Sequence, residues 1–127
     1  TFHGLHTRGF PNAFFFLPQQ SRFTATSTFA LDENAMQTAY ILGEMKQRGA
    51  TRVDASEKAE KAWINTIKRV ARQTAEFQKS CPPGYYNNEG HVEFESQNTF
   101  YGGGPIEFFN LMAKWRHAGD LRGLEIR

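Results

Sequence analysis

The chain is poor in the residues that would settle its chemistry at a glance. It has one cysteine, Cys81, so no internal disulfide can form, and a reducing, cytoplasmic location is the expectation. No stretch is apolar for long enough to span a bilayer, and nothing has the layout of a signal peptide. The formal net charge is only +2 over 127 residues, and the charges are spread out and not gathered in one block. That argues against nucleic acid as a partner. There is no GxGxxG, no GxxxxGK[ST], no HExxH and no paired-cysteine metal site. Internal repeats and low-complexity tracts are absent too.

What is present is aromatic. Twelve phenylalanines contribute to an aromatic content of 14%, and the hydrophobic content of 39% permits one core. The organising stretch is FPNAFFFLPQQSRFTATSTFALD, residues 10–32. Residues 13–17 (AFFFL) are apolar at every position, which reads as a strand buried on both faces and stopped by Pro18. A hydroxyl-rich loop follows, then a helix. A strand, a loop and a helix N-terminus form a common ligand-holding geometry, but an ordinary junction capped by Ser or Thr fits the pattern equally well.

Along the rest of the chain, His3 and His6 are three apart without an acidic or thiol neighbour, and read as polar loop residues rather than metal ligands. A first helix is expected from Ser27 or Thr28 to just before Gly49, with Ala35, Ala39, Leu42 and Met45 as its core stripe, flanked by Met36 and Tyr40. Thr51-Arg52-Val53 is taken as a connector. Asp54, three residues before Glu57, has capping-box spacing for a second helix carrying Ala59, Trp63, Ile67, Val70, Thr74 and Phe77. Its basic side (Lys58, Lys61, Lys68, Arg69, Arg72) is read as solvated. Residues 80–104 hold Pro-Pro-Gly and Asn-Asn-Glu-Gly turn signals, the mark of a long functional or mobile loop. Pro105 suits the first position of a third helix bearing Ile106, Phe108, Phe109, Leu111, Met112 and Trp115, with Gly119 as its stop. Residues 121–126 look like a short closing strand.

Several pieces, taken in order, carry a resemblance: FPNAFFF…PQQS, the helix start at Thr26-Ser27-Thr28, CPPGYYNNEG, YGGGP and GLEI. Together they are similar to the C-terminal part of Baeyer–Villiger monooxygenases, which use FAD and NADPH to insert oxygen beside a ketone carbonyl. CPPGYYNNEG resembles the branch that accepts bulky or polycyclic ketones.

The resemblance implies an α/β fold class: the C-terminal fragment of a flavoprotein with two dinucleotide-binding domains. One buried strand, three helices, a long irregular loop and a short closing strand would make it up. Residues 1–31 would end the FAD-binding domain, 32–79 would hold two helices, 80–104 the mobile loop, and 105–127 the last helix and strand. The chain begins at Thr1 without Met, which fits a piece of a longer protein. Its partners would be the N-terminal remainder of the same enzyme and a small ketone, with no nucleic acid and no membrane. The fragment alone is expected to be inactive.

No catalytic residue is carried over onto this chain. Thr26 and Ser27 correspond to the family's Thr-Asn beside the flavin ring, with Ser27 in place of Asn. Thr28 corresponds to a position between the cofactor and the substrate. Phe23, Thr24 and Ala25 correspond to a loop shaping the substrate pocket, and Tyr86 and Asn87 to a loop that folds over NADP. The competing reading is a non-catalytic helical interaction module with the third helix's aromatic face as its docking surface.

Overall fold

The structure, a computed structural model, describes residues 1–71, 82–91 and 99–127, with only the backbone at 86–88. Among the described residues, three α-helices and one small sheet carry the fold. Helix α1 is Ser27–Gln47, β1 is Val53–Ala55, α2 is Glu57–Val70, α3 is Pro105–Ala118 and β2 is Leu124–Ile126. A 3-10 turn, Tyr85–Gly90, lies between α2 and α3. Strands β1 and β2 pair antiparallel, with Val53 opposite Ile126 and Ala55 opposite Leu124.

Local chemistry accounts for the boundaries. In α2 the side chain of Ser56 accepts the Ala59 N–H at 3.2 Å, and Glu57 and Glu60 sit where the helix dipole favours acid. Pro105 is in the first turn of α3, and Gly119 ends that helix in the left-handed conformation, with φ of 70°. The helix cap is therefore Ser56, not Asp54. Asp54 lies in β1, where its carboxylate accepts the Gly9 N–H at 3.2 Å. Thr51-Arg52-Val53 is likewise no mere connector. Val53 starts β1, and the amides of Thr51 and Arg52 both donate to the Arg127 carbonyl at 2.8 Å.

The core has two clusters. Phe2, Ala55, Trp63, Ile67, Tyr101, Phe108 and Met112 form one, and Leu5, Ile41, Met45, Val53 and Leu121 the other. The N-terminal turn joins them, giving Phe2 to the first and Leu5 to the second. His3 and His6 are accordingly buried, not polar loop residues. The His3 ring stacks on Phe2 at 3.8 Å and meets the edges of Trp63 and Trp115 at 4.8 and 5.8 Å. Burial lowers its pKa to about 3. His6 falls to about 4 from the same cause, with Asp54 pulling the other way.

The expected buried strand at residues 13–17 is not one. The run has no regular secondary structure, is half-buried to exposed and sits outside the sheet, held in part by the Phe15 N–H donating to the Leu5 carbonyl at 2.8 Å. Its apolar pattern meets no neighbouring strand among the described residues. The α1 stripe also differs. The buried positions are Asn34, Gln37, Ile41 and Met45, while Ala35, Met36, Ala39 and Leu42 are exposed.

Helix α1 meets α3 through polar groups as well as through the ring edges of Phe29 with Phe109 and Tyr40 with Trp115. Arg116 donates to Gln37 Oε1 at 2.8 Å and pairs with Glu33 at 3.6 Å. On α3, Phe108 and Met112 point into the core, which withdraws the aromatic face that an interaction module would present, and Ile106 is exposed. Thr74, Phe77 and Cys81 lie outside the described residues. So does much of the segment expected as a mobile loop, although Thr99 and Tyr101 at its end are buried.

Candidate functional site

Residues 18–31 form a pinned base with an open rim. The base is Gln20-Ser21-Arg22. The Gln20 amide donates to the Thr99 carbonyl at 2.9 Å, and the Tyr101 amide donates to the Ser21 carbonyl at 2.6 Å. Trp63 Nε1–H donates to the Gln20 carbonyl at 2.8 Å. Gly4 makes the close approach possible: its φ is +70°, and a Cβ there would lie 2.4 Å from Ser21 Cβ. This loop is thus tied to the core cluster by backbone bonds that depend little on its own side chains.

Arg22 joins the loop to α1. Its guanidinium donates to Ser21 Oγ at 2.7 Å and to the Ala30 carbonyl in the first turns of the helix. The side chain is buried and its Nε–H has no partner among the described residues. Burial pulls its pKa below the usual arginine value, against the opposing field of Glu33.

Beyond Arg22 the chain opens outward. Phe23 stacks on Phe100 with ring centroids 4.7 Å apart, and is 61% exposed. Thr26 is the N-cap of α1 without a side-chain cap, and its own amide donates to Thr24 Oγ1 at 3.3 Å. The first α1 bond runs from the Ala30 N–H to the Thr26 carbonyl at 3.3 Å, so the amides of Ser27, Thr28 and Phe29 precede the helical ladder. No acidic side chain lies in that first turn. The helix end therefore keeps its positive partial charge.

A cavity of about 240 Å³ sits here, lined by Phe16, Leu17, Arg22, Phe23, Thr24 and Ser27 among others. It brings together Phe23, Thr24 and Ser27 from the residues expected to act. Ala25, Thr26 and Thr28 are adjacent in the chain and exposed, but do not line it. The side chains of Tyr86 and Asn87 are outside the described residues. Sequence reasoning missed Arg22. A lone arginine in a polar loop gives no sign that it will be buried. Among the described residues, no group of His, Cys, Asp or Glu could hold a metal, and no helix is long and apolar enough to cross a membrane.

No protein-family model matches the chain. Individual proteins do. Neopentalenolactone D synthase of Streptomyces avermitilis is 43% identical over 128 residues, covering all of this chain and 22% of that protein. A Baeyer–Villiger monooxygenase of Streptomyces coelicolor is 37% identical over 116 residues, 91% of this chain and 19% of its own length. Among solved structures, the polycyclic ketone monooxygenase of Thermothelomyces thermophila superposes with a TM-score of 0.84 at 29% identity, over all of this chain and 21% of that one. The chain thus spans about a fifth of the length of the curated relatives it matches. Sequence and fold agree along the whole chain: it corresponds to the C-terminal part of the flavin-dependent Baeyer–Villiger monooxygenases.

Proposed function

We propose that the protein carrying this chain is a monooxygenase that inserts one oxygen atom of O2 beside a ketone carbonyl, giving an ester or lactone, with FAD and NADPH as cofactors. The similarity along the full chain to Baeyer–Villiger monooxygenases carries this reading. FAD-binding and NADP-bound relatives support the two cofactors. When bound, FAD and NADPH supply the redox chemistry that activates O2.

The residues present fit a flavin. An α1 N-terminus with three amides ahead of its ladder and no acid in its first turn favours negative charge on a neighbouring ring. In this reading Thr26 and Ser27 abut the ring, Ser27 offering it a backbone amide while the Thr26 amide stays with Thr24 Oγ1, and Thr28 faces the substrate. Phe23, Thr24 and Ala25 shape the ketone pocket, with the stacked Phe23 and Phe100 rings excluding water from one side. Tyr86 and Asn87 are assigned to the NADP side. The remainder of the enzyme supplies the nucleotide-binding motifs that this chain lacks, so residues 1–127 alone do not turn over NADPH. The expected compartment is the cytoplasm.

The test is ketone-dependent NADPH oxidation by the full-length, FAD-loaded protein, with mass spectrometry of the product. A product heavier than the ketone by one oxygen atom supports the reading. NADPH oxidation that no ketone stimulates removes it.

A further inference from the structure

We infer that Arg22 is a positioning residue for the flavin: it ties the start of α1 to the pinned loop and adds its charge at that helix end, so that the reduced, anionic ring is favoured over the oxidised one. This deepens the monooxygenase reading and rests on it.

The argument starts from how little else holds the start of α1. Phe23 and residues 25–29 are exposed, and Thr26 gives the helix no side-chain cap. Phe29 meets Phe109 of α3 edge-on at 5.0 Å, and the polar ties to α3, at Glu33 and Gln37, lie further along the helix. Arg22 supplies the tie at the start. Its Nη1 donates to Ser21 Oγ at 2.7 Å and its Nη2 to the Ala30 carbonyl. Ser21 is itself buried, and its carbonyl accepts the Tyr101 amide, so the fork runs from the core to the first turns of α1. A planar guanidinium spans two such acceptors in fixed directions, which a lysine ammonium, a point charge, does not.

Two bonds to neutral oxygens account for the fork but not for the charge. Arg22 is 4% exposed, makes no ion pair among the described residues, and its buried Nε–H has no partner among them. The carboxylate that acts on it electrostatically, Glu33, is paired with Arg116 at 3.6 Å. A buried cation left this way is costly, and an anion arriving beside it offsets the cost. The charge sits just ahead of the α1 N-terminus, where the amides of Ser27, Thr28 and Phe29 precede the ladder and no acid lies in the first turn. The two fields have the same sign and add where water is excluded. They favour a ring that gains negative charge on reduction and leave the neutral oxidised ring nearly untouched. A carboxylate from the remainder of the enzyme is the competing counter-ion, and it would cancel the field.

The experiment uses the full-length enzyme and two readouts that need no ketone. FAD affinity is measured by flavin titration, and the midpoint potential of the bound flavin by reduction against a reference dye. In Arg22→Gln, which keeps a donor without the charge, affinity should fall about tenfold or more. The midpoint should drop by about 30 mV, a tenfold loss of preference for the reduced ring in a two-electron couple. Arg22→Lys keeps the charge and loses the fork, so affinity should fall a few-fold while the midpoint stays within about 10 mV. A brace without an electrostatic part would leave the midpoint unmoved in each variant that binds FAD. If neither Arg22 variant binds FAD, Ser21→Ala decides, because it removes one end of the tie and leaves the charge. Its affinity should fall a few-fold with an unchanged midpoint. An unchanged midpoint in FAD-loaded Arg22→Gln, an equal drop in Arg22→Lys, or FAD held by Ser21→Ala as tightly as before overturns the inference while the monooxygenase reading stands. A full-length protein that binds no FAD removes that reading, and this inference with it.

Discussion

Two regions of this chain treat their aromatic residues in opposite ways. Around α2 and α3, rings close on rings. Trp63 is 5% exposed, lies parallel to Tyr101 and meets Phe108 edge-on, and its indole N–H is used. Between residues 10 and 31, Phe10, Phe16, Leu17, Phe23, Phe29 and Leu31 are all exposed, and Leu42 extends the apolar surface along α1. The first region completes itself within the chain. The second presents apolar surface and a buried guanidinium, that of Arg22, with no ion pair among the described residues, the mark of a surface built against further protein or ligand. That is the side on which the flavin is proposed to sit.

The difference breaks first under mutation. Trp63→Ala should cost about 3–5 kcal/mol in the denaturant unfolding of the 127-residue chain, since it leaves a cavity and strips the Gln20 carbonyl of its donor. Phe23→Ala should stay within about 0.5 kcal/mol, because most of that ring already faces solvent. Similar losses for the two variants would mean that the open rim is part of the folding core.

Acid should attack the closed region next. His3 and His6 are held neutral, with pKa values of about 3 and about 4 against 6.5 when unfolded. Between those values the unfolded chain binds protons that the folded one refuses, so stability is full above pH 6.5 and falls as pH drops towards 3. At pH 5 each ring should cost about 2 kcal/mol relative to pH 7. Unfolding midpoints that match at pH 7 and pH 5 would show that the rings take up protons without leaving the core.

At the open region the readout moves from stability to cofactor affinity. Proline at the first helical position preserves the helix and deletes one amide donor, so Ser27→Pro in the full-length enzyme isolates that donor. Losing it from a charged acceptor costs about 1–3 kcal/mol, a loss of about tenfold or more in FAD affinity by flavin titration. Unchanged affinity would place the ring away from α1.

Much of the closed region was legible in the sequence because its signals are local. Pro105 and Gly119 bound α3, Gly49 follows α1, and the spacing of Trp63 and Ile67 marks the buried side of α2. The misreadings share one cause. The apolar pattern of residues 13–17 and of Ala35, Met36, Ala39 and Leu42 on α1 reads as core, whereas the described residues leave both largely uncovered. Conversely, Asn34, Gln37, His3 and Arg22 look like surface residues by type and are buried through long-range packing that no local pattern encodes. Phe23, Thr24 and Ser27 enter by family resemblance alone, and they line one cavity.

The smallest expected effect tests the rim most finely. Thr28 is exposed in the first turn of α1, beside the cavity but not lining it. Thr28→Met adds apolar length there without disturbing a buried contact, so the midpoint for unfolding should stay within about 0.5 kcal/mol and FAD should remain bound. If the side chain reaches the ketone, the added methylene and thioether should change relative kcat/KM among ketones differing by one ring carbon by a few-fold to tenfold, at about 0.8 kcal/mol per buried methylene. The measurement is a panel of cyclopentanone, cyclohexanone and cycloheptanone with the full-length enzyme, read alongside flavin content. A changed ranking with flavin retained places Thr28 on the substrate side. An unchanged ranking accompanied by lost stability would instead mean that Thr28 packs against the remainder of the enzyme, and the open face of α1 would then be an interdomain contact, not a ligand wall.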